Sequence, residues 1–422
     1  INFNLDLDNW NTANVRNMSF AFKGATLFNG DISTWNTANV FTMRRMFRSA
    51  SAFNGDISQW NTSNVQDMSD MLRETDFNQN LEAWDISSVT TMENMLFASR
   101  MSVDNYDDTL IGWERLDPGE TRIPRNITFG AGNRRYCRSE IQRQSLIDRY
   151  RWTISDGNIN PNCSVVIAPK VYLQGAALNP NVGEENLMRD DLRVAGIIPV
   201  RSPYPDLILR EATLFDVTGN DALVDWVWVE LREATDNTTV IAAQSALLQR
   251  DGDVVDVDGT SPLSFLLIAN RNYFVTIKHR NHLGIMSASA IRLLGTATTV
   301  DFTDGTTLTF GSNAQTSFGM PAGTVAMWTG NANDDTIIQY SGTNPDTPEI
   351  LSEILNDAGN FLNLPTFTIS GYTAKDINMD GSTQYSGTNP DTPIILQNVL
   401  AHPGNFLNFS TYQITEQLPN TN

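Results

Sequence analysis

A pattern that returns every 24 or 25 residues from the start of the chain limits what it can fold into: WNTANV at 10–15, WNTANV at 35–40, WNTSNV at 60–65 and WDISSV at 84–89. A fixed period of this length builds a solenoid, in which each unit packs only on its neighbours and ligands are met on surfaces instead of in one central pocket. Aligned, the copies give columns of like residues: Phe3/Phe28/Phe53/Phe77, Leu7/Ile32/Ile57/Leu81, Trp10/Trp35/Trp60/Trp84, Val15/Val40/Val65/Val89, Met18/Met43/Met68/Met92 and Phe22/Phe47/Leu72/Leu96. One short unit cannot bury six large apolar side chains by itself. Units stacked at about 4.8 Å, the spacing of strands, bury them as continuous rows.

Within a unit, FNGDIS (28–33) reads as a short strand and VFTMRRMF (40–47) as a helical turn, because Val40, Met43, Met46 and Phe47 fall at helical intervals. One strand and one helical turn per coil is a leucine-rich-repeat plan. The opening FNLDLDNW, where Leu5 and Leu7 alternate with polar neighbours, comes nearest to the strand of that plan. Asn14, Asn39 and Asn64 form a further column, expected to be an internal amide ladder that satisfies backbone groups where the coil turns.

With its W-N-T-S-N-V-x-x-M-x-x-M-F signature, this stretch resembles the leucine-rich-like repeats of bacterial surface proteins and lipoproteins, the BspA-like group. The resemblance covers residues 1 to about 100 and implies a secreted or surface-anchored adhesin. Because Ile1 falls within a repeat, residue 1 is expected to be a cleavage boundary or to be covered by a partner, with more repeats upstream.

Apolar residues at 41% of a 422-residue chain supply several cores, so two or three domains are expected. With 28 basic against 48 acidic residues, the net charge of −20 argues against nucleic acid or an anionic membrane as partner. No run of 18 apolar residues is present to span a membrane. The two cysteines, Cys137 and Cys163, bracket a predicted helix at 139–150 with Ser139 as N-cap and Gln142 completing a capping box. In an exported chain this pair suggests a disulfide, worth about 3 kcal/mol by loop entropy; the other reading is two unrelated buried thiols. Similar cysteine-bracketed segments follow the repeats in related surface proteins, which implies that 101–163 caps the solenoid.

From about 164 the period gives way to short β-runs separated by Asp, Gly, Pro and Asn, the clearest being 171–178, 223–234, 238–249, 263–269, 273–279 and 289–295. Such runs read as an antiparallel β-sandwich over 164–325. LMRDDLRVAGIIP (187–199), DWVWVELREATD (225–236), DGDVVDVDGTSPLSF (251–265) and IKHRNHLGIMSA (277–288) resemble a module of large exported Bacteroidota proteins, a resemblance that carries no established catalytic activity with it. His279 and His282 offer two zinc ligands without a completed shell, so strand-edge polar residues are the expected role. Asp251, Asp253, Asp256 and Asp258 crowd one turn, either as calcium ligands or as a plain acidic turn.

A second duplication, offset by 45 residues, occupies 326–422: QYSGTNPDTP recurs at 339–348 and 384–393, and GNFLN at 359–363 and 404–408. Asp376, Asn378 and Asp380 at alternate positions, then Gly381, fit the opening of an EF-hand loop. The segment Thr392 to Leu400 has helical periodicity, with Asp391 or Thr392 placed to cap it. Loop and helix together resemble the tandem calcium-binding repeats of dockerin domains, with an SGTNP insertion. The resemblance implies Asp376, Asn378 and Asp380 as first ligands, the Ser382 carbonyl and Gln384 as further ones, and Asp391 closing the shell. In the first loop the equivalents are Asn331, Asn333, Asp335, Gln339 and Asp346. With fewer carboxylates, that loop is expected to bind calcium more weakly.

The chain is thus expected to be multidomain: a leucine-rich-like α/β solenoid, a cap, a β-sandwich and a small helical dockerin-like module. The function expected of it is noncatalytic adhesion or assembly of an extracellular fibre, with calcium as cofactor and other copies, cell-surface proteins or glycans as partners. The accessory tail of a secreted hydrolase or a dockerin-type scaffold component is the alternative. No nucleophile–base arrangement, phosphate loop or HExxH motif supports an enzyme.

Overall fold

A computed structural model describes residues 3–421; Ile1, read above as a boundary, lies outside the described residues. The chain is β-rich, with several separate sheets and few helices. It divides into two compact units: residues up to Cys163 together with Leu266–Ile268, and Ser164–Phe265 together with the chain from Ala269 onward.

In the first unit the repeats contain neither the expected strand at 28–33 nor the helical turn at 40–47. The backbone instead runs as consecutive tight turns whose amides alternate in destination. Met43, Arg45, Phe47 and Ser49 donate to the carbonyls of Asp67, Ser69, Met71 and Arg73 in the next copy, while Met46, Arg48 and Ala50 donate three residues back. A helix would send every amide four residues back, so the apolar periodicity belongs to a different backbone. Two residues per copy hold positive φ and make the alternation possible: Phe20, Arg45, Asp70 and Asn94 in one column, Gly24, Ser49, Glu74 and Ala98 in the other. Each ends the central pair of a turn, where a type II turn requires φ above zero. Parallel bridges Asn17–Thr42, Thr42–Asp67 and Asp67–Thr91 join successive copies in a row.

The apolar columns pack as continuous rows. Phe3, Phe28, Phe53 and Phe77 stack with centroids 5.7, 6.0 and 6.2 Å apart. The tryptophan column has a polar reason as well: the indole N–H of Trp35, Trp60 and Trp84 donates to the carbonyl of Leu7, Ile32 and Ile57 respectively. Burial without such a partner would cost about 1–3 kcal/mol per donor. Trp113, beyond the last repeat, continues the row by donating to Leu81 at 3.0 Å. The asparagine ladder is exposed and not internal: Asn39 and Asn64 donate to Ala13 and Ala38, each at 2.8 Å. A second ladder runs through Asn4, Asn29, Asn54 and Asn78, each side-chain oxygen accepting an amide of the segment that follows.

Beyond the repeats, the helices Val103–Glu114 and Glu140–Asp148 close the core, and Cys137 and Cys163 form a disulfide with a Cα–Cα distance of 5.5 Å. Ser139 does not cap its helix. Its hydroxyl donates to the buried Asp107 at 2.6 Å, and Gln142 Oε1 has no partner, so the capping box is absent.

In the second unit, Leu223–Glu233 is central to a sheet, flanked by the antiparallel strands Val240–Gln249 and Arg271–His279. That sheet pairs antiparallel throughout, whereas in a separate sheet Thr298–Asp301 pairs in parallel with Ile167–Lys170. The run at 171–178, expected as β, contains the short helix Gln174–Ala177.

The C-terminal duplication folds as two equivalent halves, each a loop followed by a helix, Thr347–Asn356 or Thr392–Ala401. The halves exchange strands: Thr368–Ser370 of the first pairs with Ser382–Gln384 of the second, and Ile414–Thr415 returns to Ile337–Ile338. Their shared core of Ile338, Ile350, Ile377, Ile395 and Val399 is continuous with Trp328 and Leu283. Gln174 and Asn398 exchange reciprocal amide bonds at 2.8 and 2.9 Å across the same boundary.

Candidate functional site

The two duplicated loops are built on one hydrogen-bond plan. In the second, Asp376 Oδ1 accepts from Asp380 N at 3.1 Å and Oδ2 from Gly381 N at 2.9 Å. Asn378 Oδ1 accepts from Asp380 N at 2.9 Å, and Asp380 Oδ1 from Ser382 N at 2.9 Å. Gly381, at φ 86°, allows the turn. Asp391 lies at the head of the following helix but does not cap it. Its carboxylate reaches back over the loop, Oδ1 accepting from Ile377 and Asn378 and Oδ2 from Gln384. Gln384 Oε1 in turn accepts from Asn389 N at 2.9 Å, and Asn389 Nδ2 donates to Asp380.

The first loop repeats this with Asn331 in place of Asp376 and Thr336 in place of Gly381. Asp346 Oδ1 and Oδ2 accept from Ala332 and Gln339, Asp335 Oδ1 from Ile337, and Gln339 Oε1 from Asn344. Asn331, standing where the second loop has Asp376, also donates its Nδ2 to the Asp335 carbonyl at 2.6 Å, and Asn333 Nδ2 donates to Asp335 Oδ2 at 2.9 Å. The amides thus supply donors of their own. The second loop has only acceptors at position 376.

That difference leaves the second loop electrostatically loaded. Burial first, then the neighbouring Asp380 carboxylate, pushes Asp376 up to about 7, against an opposing pull from Arg280. Asp391 is held well above the usual carboxylate range by burial, with Asp376 adding to it. In the first loop Asp346 is pushed to about 7, mainly by burial, with Asp335 contributing. Among the described residues, no three His, Cys, Asp or Glu side chains form a metal-holding group. What the second loop offers is two carboxylates and the Asn378 amide, hard oxygen donors whose second lone pairs remain free after each accepts an amide. Oxygen donors of this kind are the type a hard cation takes; the first loop, with Asp335 and its own amide donors, supplies fewer of them.

Below the second loop lies a buried polar cluster, of which the sequence marked only His279 and His282. Asp225, on the central strand, accepts from Arg280 Nε at 3.0 Å, Tyr372 Oη at 2.7 Å and His279 Nε2 at 3.1 Å. Burial would raise its pKa, but Arg280 and His279 overcome that and hold it at about 2. His279 and His282, 3.0 Å apart through Nδ1, are buried between strands and not at an edge, and burial lowers both pKa values. Asn281 Nδ2 donates to the Asp376 carbonyl at 2.7 Å, tying this cluster to the second loop. The acidic turn at 251–258 is occupied internally: Asp251 accepts from Asp253 N, Asp258 from Thr260 and Ser261, and Asp253 pairs with Lys170 at 2.5 Å.

Residues 1–108 of the 422 match the family described as a Mycoplasma protein of unknown function, DUF285. That likeness covers the repeats and the first turn beyond them. No curated protein and no solved structure matches the chain.

Proposed function

We propose that this chain is a noncatalytic, extracellular surface protein that mediates adhesion or assembly through its repeat stack. In this reading residues 1–100 are a leucine-rich-like solenoid, the sheets that follow are a β-sandwich, and the duplicated loops are a dockerin-like, calcium-binding pair. The observation that carries the reading is the periodic display of side chains: Asn4, Asn29 and Asn54 recur as a polar row, anchored by the amide ladder to a core whose columns are buried from the second copy onward. A row of like groups at coil spacing suits repeated, individually weak contacts, whose avidity comes from number and not from one deep pocket. The repeat family over 1–108 and the disulfide support an exported setting.

Calcium enters the proposal at the second loop, through Asp376, Asn378 and Asp380 and the Ser382 carbonyl, with Asp391 and Gln384 organising the backbone around them. A bound cation would neutralise carboxylates that otherwise repel one another and so brace the loop on Asn281. Beads coated with the full chain should attach to epithelial or bacterial surfaces, or purified protein should form filaments under electron imaging. Neither attachment nor self-association in calcium-containing buffer would refute the reading. For the cation, calorimetric titration with calcium should give saturable heat that Asp376→Asn removes; equal heats in both proteins would reject the site.

A further inference from the structure

Between the central sheet, the segment at Tyr204 and the first duplicated loop opens a cleft of about 420 Å³, within the size range of small-ligand sites. The pairing of Trp228 with Lys278 across the strands Leu223–Glu233 and Arg271–His279 places both on its wall. Tyr204 stands beside Trp228, ring centroids 5.7 Å apart and tilted by 34°, and both residues are half-buried. Glu230 accepts from the Trp228 indole at 3.2 Å and from Lys278 at 2.7 Å, which fixes the indole plane. Arg280, with a side chain 9% exposed, also lines the cleft. It spends Nε on Asp225 and Nη1 on the Thr373 carbonyl, while Nη2 is buried without a hydrogen-bond partner. At the rim the exposed Asp334 holds φ 58°.

We propose that this cleft binds a terminal sugar of a neutral glycan. The half-buried indole and phenol offer flat apolar faces to the C–H side of a pyranose, the part of a sugar that water solvates least. Sugar hydroxyls both donate and accept, and the lining supplies both kinds of partner: the carboxylates of Glu230, Asp334 and Glu416, and the cationic donors Lys278 and Arg280. A wholly apolar ligand would strip water from the exposed Asp334 carboxylate without replacing it. An anionic sugar would meet an excess of carboxylates, because Asp335 adds a fourth acid to the lining against two bases. Arg280 Nη2 makes no hydrogen bond, and the guanidinium lies over the Tyr372 ring, 4.4 Å from its centroid, which holds the cation at the base of the cleft. The inference deepens the adhesive reading, on which it rests, by naming a ligand class for the second unit.

Calorimetric titration of the full chain with maltotriose, mannotriose and chitotriose, with 3′-sialyllactose and free lysine as the anionic and cationic comparisons, tests it. At least one neutral trisaccharide should saturate. Trp228→Ala should weaken it about tenfold, the loss expected of an aromatic contact. Asp334→Gly should weaken it by about threefold while keeping the fold, since glycine suits positive φ. The Asp334→Gly result decides the matter if Trp228→Ala fails to fold by near-UV circular dichroism. Saturation by no neutral sugar, tighter binding of sialyllactose or lysine, or unchanged affinity in the variants would overturn the proposal. Beads separate the two readings: attachment with no saturable trisaccharide binding overturns the cleft alone, and trisaccharide binding without attachment overturns adhesion alone.

Discussion

At the scale of single residues, the repeats depend on conformations that their sequence does not advertise. Ala98 holds φ 56° on the exposed surface, a left-handed position that costs a residue with Cβ about 1–2 kcal/mol. Ala98→Gly should therefore raise the melting temperature of the first unit, by roughly 1 kcal/mol of stability, and Ala98→Val should lower it; thermal melts followed by circular dichroism would show the order. Glycine marks only one of the eight such positions in the four copies, Gly24, and this is why the turns read as helix from apolar spacing alone. The duplicated loops make a pH-dependent case. Asp376 and Asp346 hold folded values of about 7 against 3.8 for the ordinary carboxylate. A raised value means that the folded chain keeps protons that the unfolded chain has released, so this contribution is full below about pH 4 and is lost as pH rises towards 7. Metal-free protein should melt at a higher temperature at pH 5.5 than at pH 7.5, provided other titrating groups are matched by comparison with Asp376→Asn. Added calcium should shrink that gap by stabilising the ionised form.

Among elements, what the sequence makes legible is set by how local the cause is. The columns were readable because burial of like residues needs a fixed spacing, and Trp35, Trp60 and Trp84 are 8%, 3% and 0% exposed. Trp10 belongs to the same column yet is 62% exposed in the first copy. Trp60→Ala should then cost about 3–5 kcal/mol, as truncation of a buried aromatic does, and Trp10→Ala less than about 1 kcal/mol. Urea unfolding of the two variants would separate them, and equal losses would contradict a graded burial. The strands at 223–233 and 271–279 were also legible, through long β-branched and aromatic runs. The cluster around Asp225 was not, because its partners Arg280 and Tyr372 lie 55 and 147 residues away and no local pattern announces them. In the loops, alternation of Asp376, Asn378 and Asp380 made the position visible. The use of Asp391 as an acceptor for three backbone amides required the loop's closed path, which spacing alone does not give.

For the whole molecule, two compact units imply two cooperative transitions, and the disulfide belongs to the first of them. Closing a span with a sequence separation of 26 removes enough unfolded-chain entropy to stabilise that unit by about 3.5 kcal/mol. Reduction should lower one calorimetric peak and leave the other in place; a shift of both would show that the units unfold together. The alternating amides of the repeats have a mechanical consequence too. Bonds from one copy to the next lie along the direction of stacking, so a chain pulled from its N-terminal end gives way one copy at a time, each rupture loading the next identical row. Every release frees 24 or 25 residues, a gain in contour length of about 8 nm at full extension. Single-molecule stretching would then show a short, evenly spaced sawtooth, the behaviour of a shock absorber that yields in steps while its anchored end holds.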